Sequence, residues 1–197
     1  MTDNTTYPFP LPQNPNFAEF VTCEGLLPHE LDRIDSIWDH ERAERAEVSG
    51  SDEIYVEDIR KSAVIPVQPN EHHNWIFDRL SAFASQANAE KYGFDILGIY
   101  EPLQLVEYGQ DDFFQWHMDF GPGDSSCRKL SLTVQLSDPD SYEGGNLQFM
   151  INDKTVDAPG DRGTVVIFPS FVLHRVTPVT RGRRRSIVGW FSGVPYR

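Results

Sequence analysis

Two histidines and an aspartate are the residues of this chain whose types and spacing could do chemistry. His117 and Asp119 are separated by one residue, and His174 lies in a later segment. Two imidazoles and one carboxylate can bind a non-haem Fe(II) ion and leave its other coordination positions open for oxygen chemistry. Zinc accepts the same ligands, so the ligand types alone do not decide which metal is bound. The pattern therefore predicts a catalytic metal centre formed by His117, Asp119 and His174.

A cation, a hydroxyl and a phenol could bind an oxo acid beside this metal. Arg184 and Ser186 share one face of the last predicted strand, because side chains alternate along a strand. A guanidinium beside a hydroxyl can bind a carboxylate, and an unpaired arginine inside a barrel would be costly. Tyr108 ends an earlier predicted strand and could donate a further hydrogen bond. The alternative for Tyr108 is an ordinary core aromatic residue with its hydroxyl at the rim.

The choice among three consecutive arginines rests on spacing and strand parity. Arg183, Arg184 and Arg185 adjoin, so a shift of one residue would nominate a neighbour of Arg184 as the carboxylate ligand. We expect the side chains of Arg183 and Arg185 to be solvated, where their charges would offset the acidic surface.

Length, charge and cysteine content limit the classes of protein to which the chain can belong. A chain of 197 residues with 39% hydrophobic residues can bury one core, which predicts a single domain over residues 16–197. A net charge of -13 repels phosphate backbones and anionic lipids, so we expect neither nucleic acid nor a membrane as partner. Two distant cysteines, no signal sequence and no long apolar run indicate a cytoplasmic protein without disulfides. The sequence does not predict an oligomeric state.

The first half of the chain is expected to support the site with helices. Four prolines predict an extended or disordered arm over residues 1–15. Apolar residues at helical spacing predict one helix over residues 28–46 and a second over residues 70–91, with its first residue as N-cap. The acidic segment over residues 47–57 is expected to be a loop. This loop and Arg60 after it could select the substrate, and the alternative is that both are simply exposed and charged.

The second half of the chain changes from helical spacing to short runs typical of strands. Six such runs are separated by turn residues: 103–108, 113–119, 130–136, 146–151, 164–168 and 186–191. Short strands in this number indicate a β-sandwich or barrel. We therefore predict a β core over residues 94–197, supported by the helices of residues 16–93.

The predicted strand over residues 113–119 determines which side chains face the metal. Alternation places Gln115 on the face of His117 and Asp119, where it could contact substrate or co-substrate. Phe114 is expected on the opposite face, where it would fill the core. The metal ligands are thus predicted to project from a regular strand.

Three segments of the second half carry further motifs in order, namely the His-x-Asp pair, a YEGG turn and an HRVTPVT segment followed by arginines. The segments are QLVEYGQDDFFQWHMD, RKLSLTVQLSDPDSYEGGNLQF and GDRGTVVIFPSFVLHRVTPVTRGRRRSIVGW. They resemble the Fe(II)- and 2-oxoglutarate-dependent dioxygenases of the prolyl 4-hydroxylase-like group, in particular the PKHD-type hydroxylases.

The resemblance implies a double-stranded β-helix, a distorted, cupin-like jelly roll flanked by helices, with the metal at one open end. It implies that His117, Asp119 and His174 bind Fe(II), with 2-oxoglutarate and dioxygen as co-substrates and ascorbate as a reductant. Arg184 would bind the distal carboxylate of 2-oxoglutarate, and Tyr108 would assist it. The related halogenases have a small residue at the position of Asp119, so the resemblance favours hydroxylation.

The activity expected from this resemblance is hydroxylation of an unactivated C–H bond on a prolyl or other amino-acid residue of a peptide or protein. A free amino acid or a small metabolite is the alternative substrate. One rival is a cupin-type metal enzyme without 2-oxoglutarate, although such sites usually have three or four histidines and no arginine after the last one. The other rival is a non-catalytic jelly-roll binding module.

Overall fold

Strands make up a larger share of the described residues than helices do, and they pair antiparallel. The computed structural model describes residues 19–23, 25–40, 42–46 and 58–195, so the predicted arm and the predicted acidic loop lie outside the described residues. The principal helices in these ranges are α1 (Pro28–Asp35) and α2 (Asn74–Ala87). The strands are β1 (Val21–Cys23), β2 (Glu44–Arg45), β3 (Arg60–Lys61), β4 (Ala63–Val67), β5 (Ile96–Gly98), β6 (Leu103–Tyr108), β7 (Phe113–His117), β8 (Arg128–Gln135), β9 (Tyr142–Gly144), β10 (Leu147–Ile151), β11 (Lys154–Asp157), β12 (Val165–Pro169), β13 (His174–Val176), β14 (Val179–Gly182) and β15 (Arg184–Gly193).

Two antiparallel sheets form the body of the fold. The larger sheet has the order β1-β12-β8-β15-β6-β4-β2, with β5 paired to β15, and the smaller has the order β11-β10-β13-β7-β3. Strands β9 and β14 form a separate ribbon. Strands β1 to β4 come from the first half of the chain and join both sheets. The predicted division into a helical support and a β core at residue 93 stays a prediction.

Apolar side chains fill two layers, one on each side of the larger sheet. Ile34 of α1 and Leu80 of α2 belong to the same buried cluster as Leu105 of β6, which places the helices on the outer face of that sheet. A second cluster, with Val106 of β6 and Phe149 of β10, lies between the two sheets. Burial of one such side chain contributes roughly 1.5–3 kcal/mol. These layers confirm the predicted mainly β fold with flanking helices.

Helix α1 is shorter than predicted, because it ends at Asp35 instead of continuing to residue 46. The Ser36 hydroxyl donates a hydrogen bond to the Arg33 carbonyl at 2.8 Å, which closes the last turn. Residues Glu44–Arg45 pair with β4 and form strand β2 instead of a helical turn. Sheet pairing therefore overrides the helical spacing of this segment.

Helix α2 begins at Asn74, later than the predicted start at Asn70. The Asn70 side chain accepts hydrogen bonds from the backbone N–H groups of His72 and His73, at 2.9 and 3.0 Å, and so forms a turn before the helix. A wider turn follows the helix and ends at Gly93, whose φ of 69° is a left-handed conformation that glycine adopts without strain. No helix in the described part of the chain is long and apolar enough to span a bilayer.

The six predicted strands are present, but some of their ends differ from the prediction. Strand β7 ends at His117, so Asp119 lies beyond the strand and not on it. His174 begins strand β13, which the sequence did not predict. Strand β11 was also missed, because all its residues are exposed and no alternation of apolar side chains marks it. The differences at β7 and β13 matter because these strands carry the predicted metal ligands.

Candidate active site

The three predicted metal ligands lie together on the smaller sheet. His117 ends β7 and pairs in register with His174, the first residue of β13. Asp119 follows shortly after β7, and its carboxylate oxygens lie 3.7 Å from His117 Nε2 and 3.6 Å from His174 Nε2. The ligand atoms all lie within 4.8 Å of one another, a spacing that one metal ion can bridge.

Backbone hydrogen bonds orient both imidazoles toward the same point. His117 Nδ1 lies 2.7 Å from the carbonyl of Gln115, and His174 Nδ1 lies 2.9 Å from the carbonyl of Val172. A carbonyl only accepts, so each Nδ1 carries the hydrogen and each Nε2 keeps a free lone pair. Metal-binding histidines use this arrangement, in which the second ring nitrogen is held by an acceptor.

The charge states of the site suit a cation. Burial, and to a smaller extent the neighbouring His174, lower the pKa of His117 to about 3, although Asp119 acts in the opposite direction. Burial raises the pKa of the Asp119 carboxyl, but His174, His117 and the Ser131 hydroxyl outweigh burial, so that the pKa of Asp119 is lowered. At neutral pH the site therefore offers a neutral imidazole and a carboxylate, which are the forms that bind metal.

Strand β8 and its neighbours hold Asp119 in place. Ser131 Oγ donates to Asp119 Oδ2 at 2.6 Å and lies 3.1 Å from Ser170 Oγ. Arg128 Nη1 donates to the backbone carbonyl of Asp119 at 3.1 Å. Because Asp119 lies beyond the end of β7, these side chains fix its carboxylate in place of sheet pairing.

An irregularity in β7 changes which side chains lie beside the metal ligands. The register shifts between the pair of His117 with His174 and the pair of Phe114 with Val176, because β7 has one residue more than β13 in this interval. Phe114 therefore lies on the side of His117, and the two rings stack with centroids 3.4 Å apart. The predicted parity was wrong here: Phe114 lines the pocket beside the ligands, whereas Gln115 is exposed.

A narrow cavity between the sheets, called the inner pocket below, contains the triad and has an empty volume of about 480 Å³. Strands β15 and β6 bring the predicted carboxylate ligands to it, since Arg184 pairs in register with Tyr108 and Ser186 pairs with Val106. Arg184 and Ser186 are each 2% exposed. The structure thus brings Arg184, Ser186 and Tyr108 into one pocket with the triad. The apolar lining of the inner pocket is Phe114, Leu147, Phe168, Val176 and Val188.

Arg184 is a buried cation whose contacts are neutral. Its Nη2 donates to Gln135 Oε1 at 2.5 Å, and its guanidinium carbon lies 5.6 Å from the centroid of the Tyr108 ring. No described residue accepts a hydrogen bond from its Nε. Burial lowers the pKa of Arg184, while the phenols of Tyr108 and Tyr142 act in the opposite direction. Because a buried unpaired cation is costly, this arrangement favours an anionic ligand.

The two arginines next to Arg184 pair with acids. Glu107 accepts hydrogen bonds from Arg183 Nη1 at 2.8 Å and from Arg185 Nε at 2.7 Å. Arg185 Nη1 also lies 3.2 Å from the Asp35 carboxylate. The expectation that both are solvated was therefore wrong for Arg185, whereas the Arg183 side chain is 59% exposed. With these pairs formed, Arg184 is the arginine of the three that contacts the inner pocket.

A wider cavity, called the outer pocket below, opens beyond the triad. It shares Arg60, Phe114 and Trp190 with the inner pocket and continues along residues 118–123. Trp190 is buried, and its indole N–H has no acceptor among the described residues. The sequence interpretation missed Trp190, although strand parity counted from Arg184 leads to it.

The residues of the site fit both groups that the sequence predicted. Two imidazole nitrogens and one carboxylate form a ligand set that leaves metal positions open, which suits Fe(II). The unpaired Nε of Arg184 lies in the same pocket as two hydroxyl groups, those of Ser186 and Tyr108, which suits a carboxylate such as that of 2-oxoglutarate.

Sequence comparison points to the same chemistry. Residues 103–192 match the 2OG-Fe(II) oxygenase superfamily, and this segment contains all six predicted site residues. A PKHD-type hydroxylase from Hyphomonas neptunium is 45% identical over 88 residues, which cover 43% of this chain and 39% of that protein. The matched segments span less than half the length of this and the next curated relatives.

Two solved prolyl hydroxylases have a similar fold. A prolyl-4-hydroxylase from Pseudomonas putida has a TM-score of 0.70 and 22% identity, and the match covers 90% of this chain and 95% of that chain. A prolyl hydroxylase from Trichoplax adhaerens, solved with a hypoxia inducible factor peptide, has a TM-score of 0.73 and 14% identity over 90% of this chain and 84% of that chain. These likenesses confirm the predicted fold class. Within this fold, residues 103–192 are the segment that is similar to the 2OG-Fe(II) oxygenase superfamily.

Proposed function

We propose that this chain is an Fe(II)- and 2-oxoglutarate-dependent dioxygenase that hydroxylates an unactivated C–H bond. One observation carries the proposal: the predicted metal-binding triad and the buried Arg184 line the same inner pocket. A metal site and a carboxylate site in one narrow cavity suit a co-substrate that binds both. 2-Oxoglutarate has this chemistry, with a keto acid at one end and a carboxylate at the other.

His117, Asp119 and His174 would hold the iron through two Nε2 atoms and one carboxylate oxygen. With iron bound, dioxygen and 2-oxoglutarate give succinate and CO₂, and the second oxygen atom enters the substrate as a hydroxyl. Ser131 would keep the Asp119 carboxylate in its orientation, as the backbone carbonyls do for the imidazoles.

Arg184 would bind the distal carboxylate of 2-oxoglutarate, with Ser186 and Tyr108 as further donors. Gln135 fixes the guanidinium before the co-substrate arrives, so little side-chain entropy is lost on binding. The apolar lining of the inner pocket excludes water, and an ion pair is stronger in such surroundings. The same lining would protect the reaction from stray water and reductants.

We infer that the substrate is a prolyl or other amino-acid residue of a peptide or protein. Two structural neighbours are prolyl hydroxylases, and one was solved with a bound peptide. The outer pocket is wider than the inner one and could admit such a chain. A free amino acid or small metabolite is the second candidate, and the buried Arg60 in the pocket wall favours it.

We also infer the conditions under which the protein works. Ascorbate would serve as a reductant that restores Fe(II). The cytoplasm would be the compartment, because Cys23 and Cys127 are free thiols and a reducing environment keeps them so.

The two rival functions explain less of the site. A cupin-type metal enzyme without 2-oxoglutarate would leave the buried Arg184 cation without an anion. A non-catalytic binding module would have no use for two imidazoles whose free Nε2 atoms face one carboxylate.

Turnover of the co-substrate tests the proposal. Purified protein with Fe(II), ascorbate and 2-oxoglutarate should form succinate slowly, and a panel of peptides and amino acids should contain a compound that stimulates succinate formation. The stimulating compound should gain the mass of one oxygen atom for each succinate formed. Absence of succinate in every mixture, together with no binding of the inert analogue N-oxalylglycine, would contradict the proposed function.

A further inference from the structure

Arg60 is a buried cation at the junction of the inner and outer pockets, and the proposed iron and 2-oxoglutarate sites leave it unused. It lies on β3 and pairs in register with Phe114 of β7. Its exposed fraction is 8%, and it lines both pockets. Sheet pairing therefore fixes the backbone from which its guanidinium extends.

Neutral contacts orient the Arg60 guanidinium. Its Nε donates to Ser62 Oγ at 3.0 Å, and its Nη2 donates to Gln104 Oε1 at 3.4 Å. The guanidinium carbon lies 4.8 Å from the centroid of the Phe114 ring. These contacts use only part of the five N–H donors of an arginine, so others stay available to a ligand in the pocket.

Among the described residues, no carboxylate forms an ion pair with Arg60. Arg128, which also lines the outer pocket, differs in this respect because two of its nitrogens donate to the Glu101 carboxylate. The Asp119 carboxylate lies nearby in the pocket lining but belongs to the proposed iron site. Arg60 is thus a buried cation without an acid in the described part of a chain whose net charge is -13. Such a cation favours an anionic ligand.

We propose that Arg60 binds a carboxylate of the substrate, so that the substrate is an acid. This inference rests on the proposed function, because it places the substrate beside the proposed iron site. Arg184 binds the carboxylate of the co-substrate in the inner pocket, and Arg60 binds that of the substrate where the two pockets meet. The carboxylate belongs either to a small free acid, such as an amino acid, or to a terminal or acidic residue of a peptide.

Calorimetric titration of the loaded protein tests this inference without turnover. The full chain is saturated with Mn(II) and N-oxalylglycine, so that the triad and Arg184 are occupied before any probe is added. The probes are matched acids and neutral amides: N-acetyl amino acids with their amides, and amidated peptides with an internal glutamate or glutamine. At least one acid should bind, and the affinity for its neutral partner should be lower by roughly tenfold or more, because charge-assisted hydrogen bonds would be lost. The small acids and the peptides separate the two sources of the carboxylate.

Three variants assign the preference to Arg60. Arg60→Gln should remove most of the difference between acid and amide, and Arg60→Lys should restore part of it because it keeps the charge. Arg181→Gln, which alters an exposed arginine paired with Glu143, is the matched control and should keep the full difference. The comparison of acid with amide on the native chain needs no variant, so it stands even where Arg60→Gln does not fold.

Several results of the titration would overturn the inference. They are equal binding of acid and amide, a preference that survives in Arg60→Gln, and no binding of any acid. A loss of N-oxalylglycine affinity in Arg60→Gln as large as the loss of acid affinity would also overturn it, because Arg60 would then serve the co-substrate. Failure of N-oxalylglycine to bind the native chain would instead contradict the proposed function, so the two failures are distinguishable.

Discussion

Two neighbouring arginines at the start of β15 lie in opposite electrostatic surroundings. Arg184 contacts the inner pocket, and its Nη2 donates to the neutral side chain of Gln135. Arg185 lies on the other side of the strand, where it contacts the carboxylates of Glu107 and Asp35. The two residues have the same side chain and adjacent positions, so the difference between them lies in what surrounds each charge.

This difference separates two uses of an arginine. The ion pairs of Arg185 are complete within the chain, so its charge stabilises the fold. Arg184 has no acidic partner among the described residues, so a ligand must supply the anion. The outer pocket repeats the contrast, because Arg128 is paired with Glu101 and Arg60 contacts neutral groups.

Asp119→Ala should have the largest effect, because it removes a predicted metal ligand. Without the metal, the reaction that Arg184 would serve does not take place, so neither arginine would contribute to activity. Loss of a group behind a ligand already costs about 10–100-fold in metal affinity or activity, so loss of a ligand should lower succinate formation by more than about a hundredfold. Succinate formation and Mn(II) binding measure the effect. Asp140→Ala, at an exposed carboxylate, is the control and should keep full activity. Native metal affinity in Asp119→Ala would contradict the assignment of the triad.

Removal of the unpaired charge of Arg184 should weaken the binding of 2-oxoglutarate. Arg184→Gln should raise the KM for 2-oxoglutarate about 10–100-fold, because it removes charge-assisted hydrogen bonds to a carboxylate. Arg184→Lys should recover part of the affinity, since it keeps the charge but loses the planar fork. The dependence of succinate formation on 2-oxoglutarate measures the effect, and Arg183→Gln is the matched control. An equal rise of KM in the control would move the assignment to that neighbour.

Loss of the hydrogen bond that holds Asp119 should lower the metal affinity less than loss of a metal ligand does. Ser131→Ala removes the hydrogen bond to Asp119 Oδ2 and should weaken metal binding about tenfold. Titration with Mn(II) measures the change, and Ser85→Ala on the exposed face of α2 is the control. Unchanged metal affinity in Ser131→Ala would show that the aspartate needs no such support.

Removal of the paired charge should affect stability alone. Arg185→Gln leaves Glu107 with Arg183 and should lower the free energy of unfolding by about 1–2 kcal/mol, less than for a fully buried pair because the Arg185 side chain is 22% exposed. The midpoint of urea unfolding measures this loss. The affinity for N-oxalylglycine should stay at its native value, and a decrease in that affinity would break the contrast with Arg184.

Alternation along regular strands predicted much of the inner pocket from the sequence. Tyr108 of β6 pairs in register with Arg184 of β15, and period two continues through both strands. The positions of Arg184, Ser186 and Tyr108 in one pocket follow from this regularity, while their roles stay predictions. The same alternation places Trp190 on the face of Arg184, but the sequence interpretation did not apply it as far as Trp190.

The pairing between strands from distant segments could not be predicted from the sequence. The register shift in β7 depends on how β7 meets β13, and no residue type marks it, so Phe114 and Gln115 were assigned to the wrong sides. Arg60 reaches the site because β3 pairs with β7. The acids around Arg185 likewise come from separate segments, which is why that side chain was expected to be solvated.

A crystal structure of the chain with Mn(II) and N-oxalylglycine tests the central claim most directly. The account predicts Mn(II) bound by His117, Asp119 and His174, with the distal carboxylate of N-oxalylglycine on the guanidinium of Arg184. A carboxylate bound to Arg185 or Arg60 instead, or a metal bound away from the triad, would contradict it.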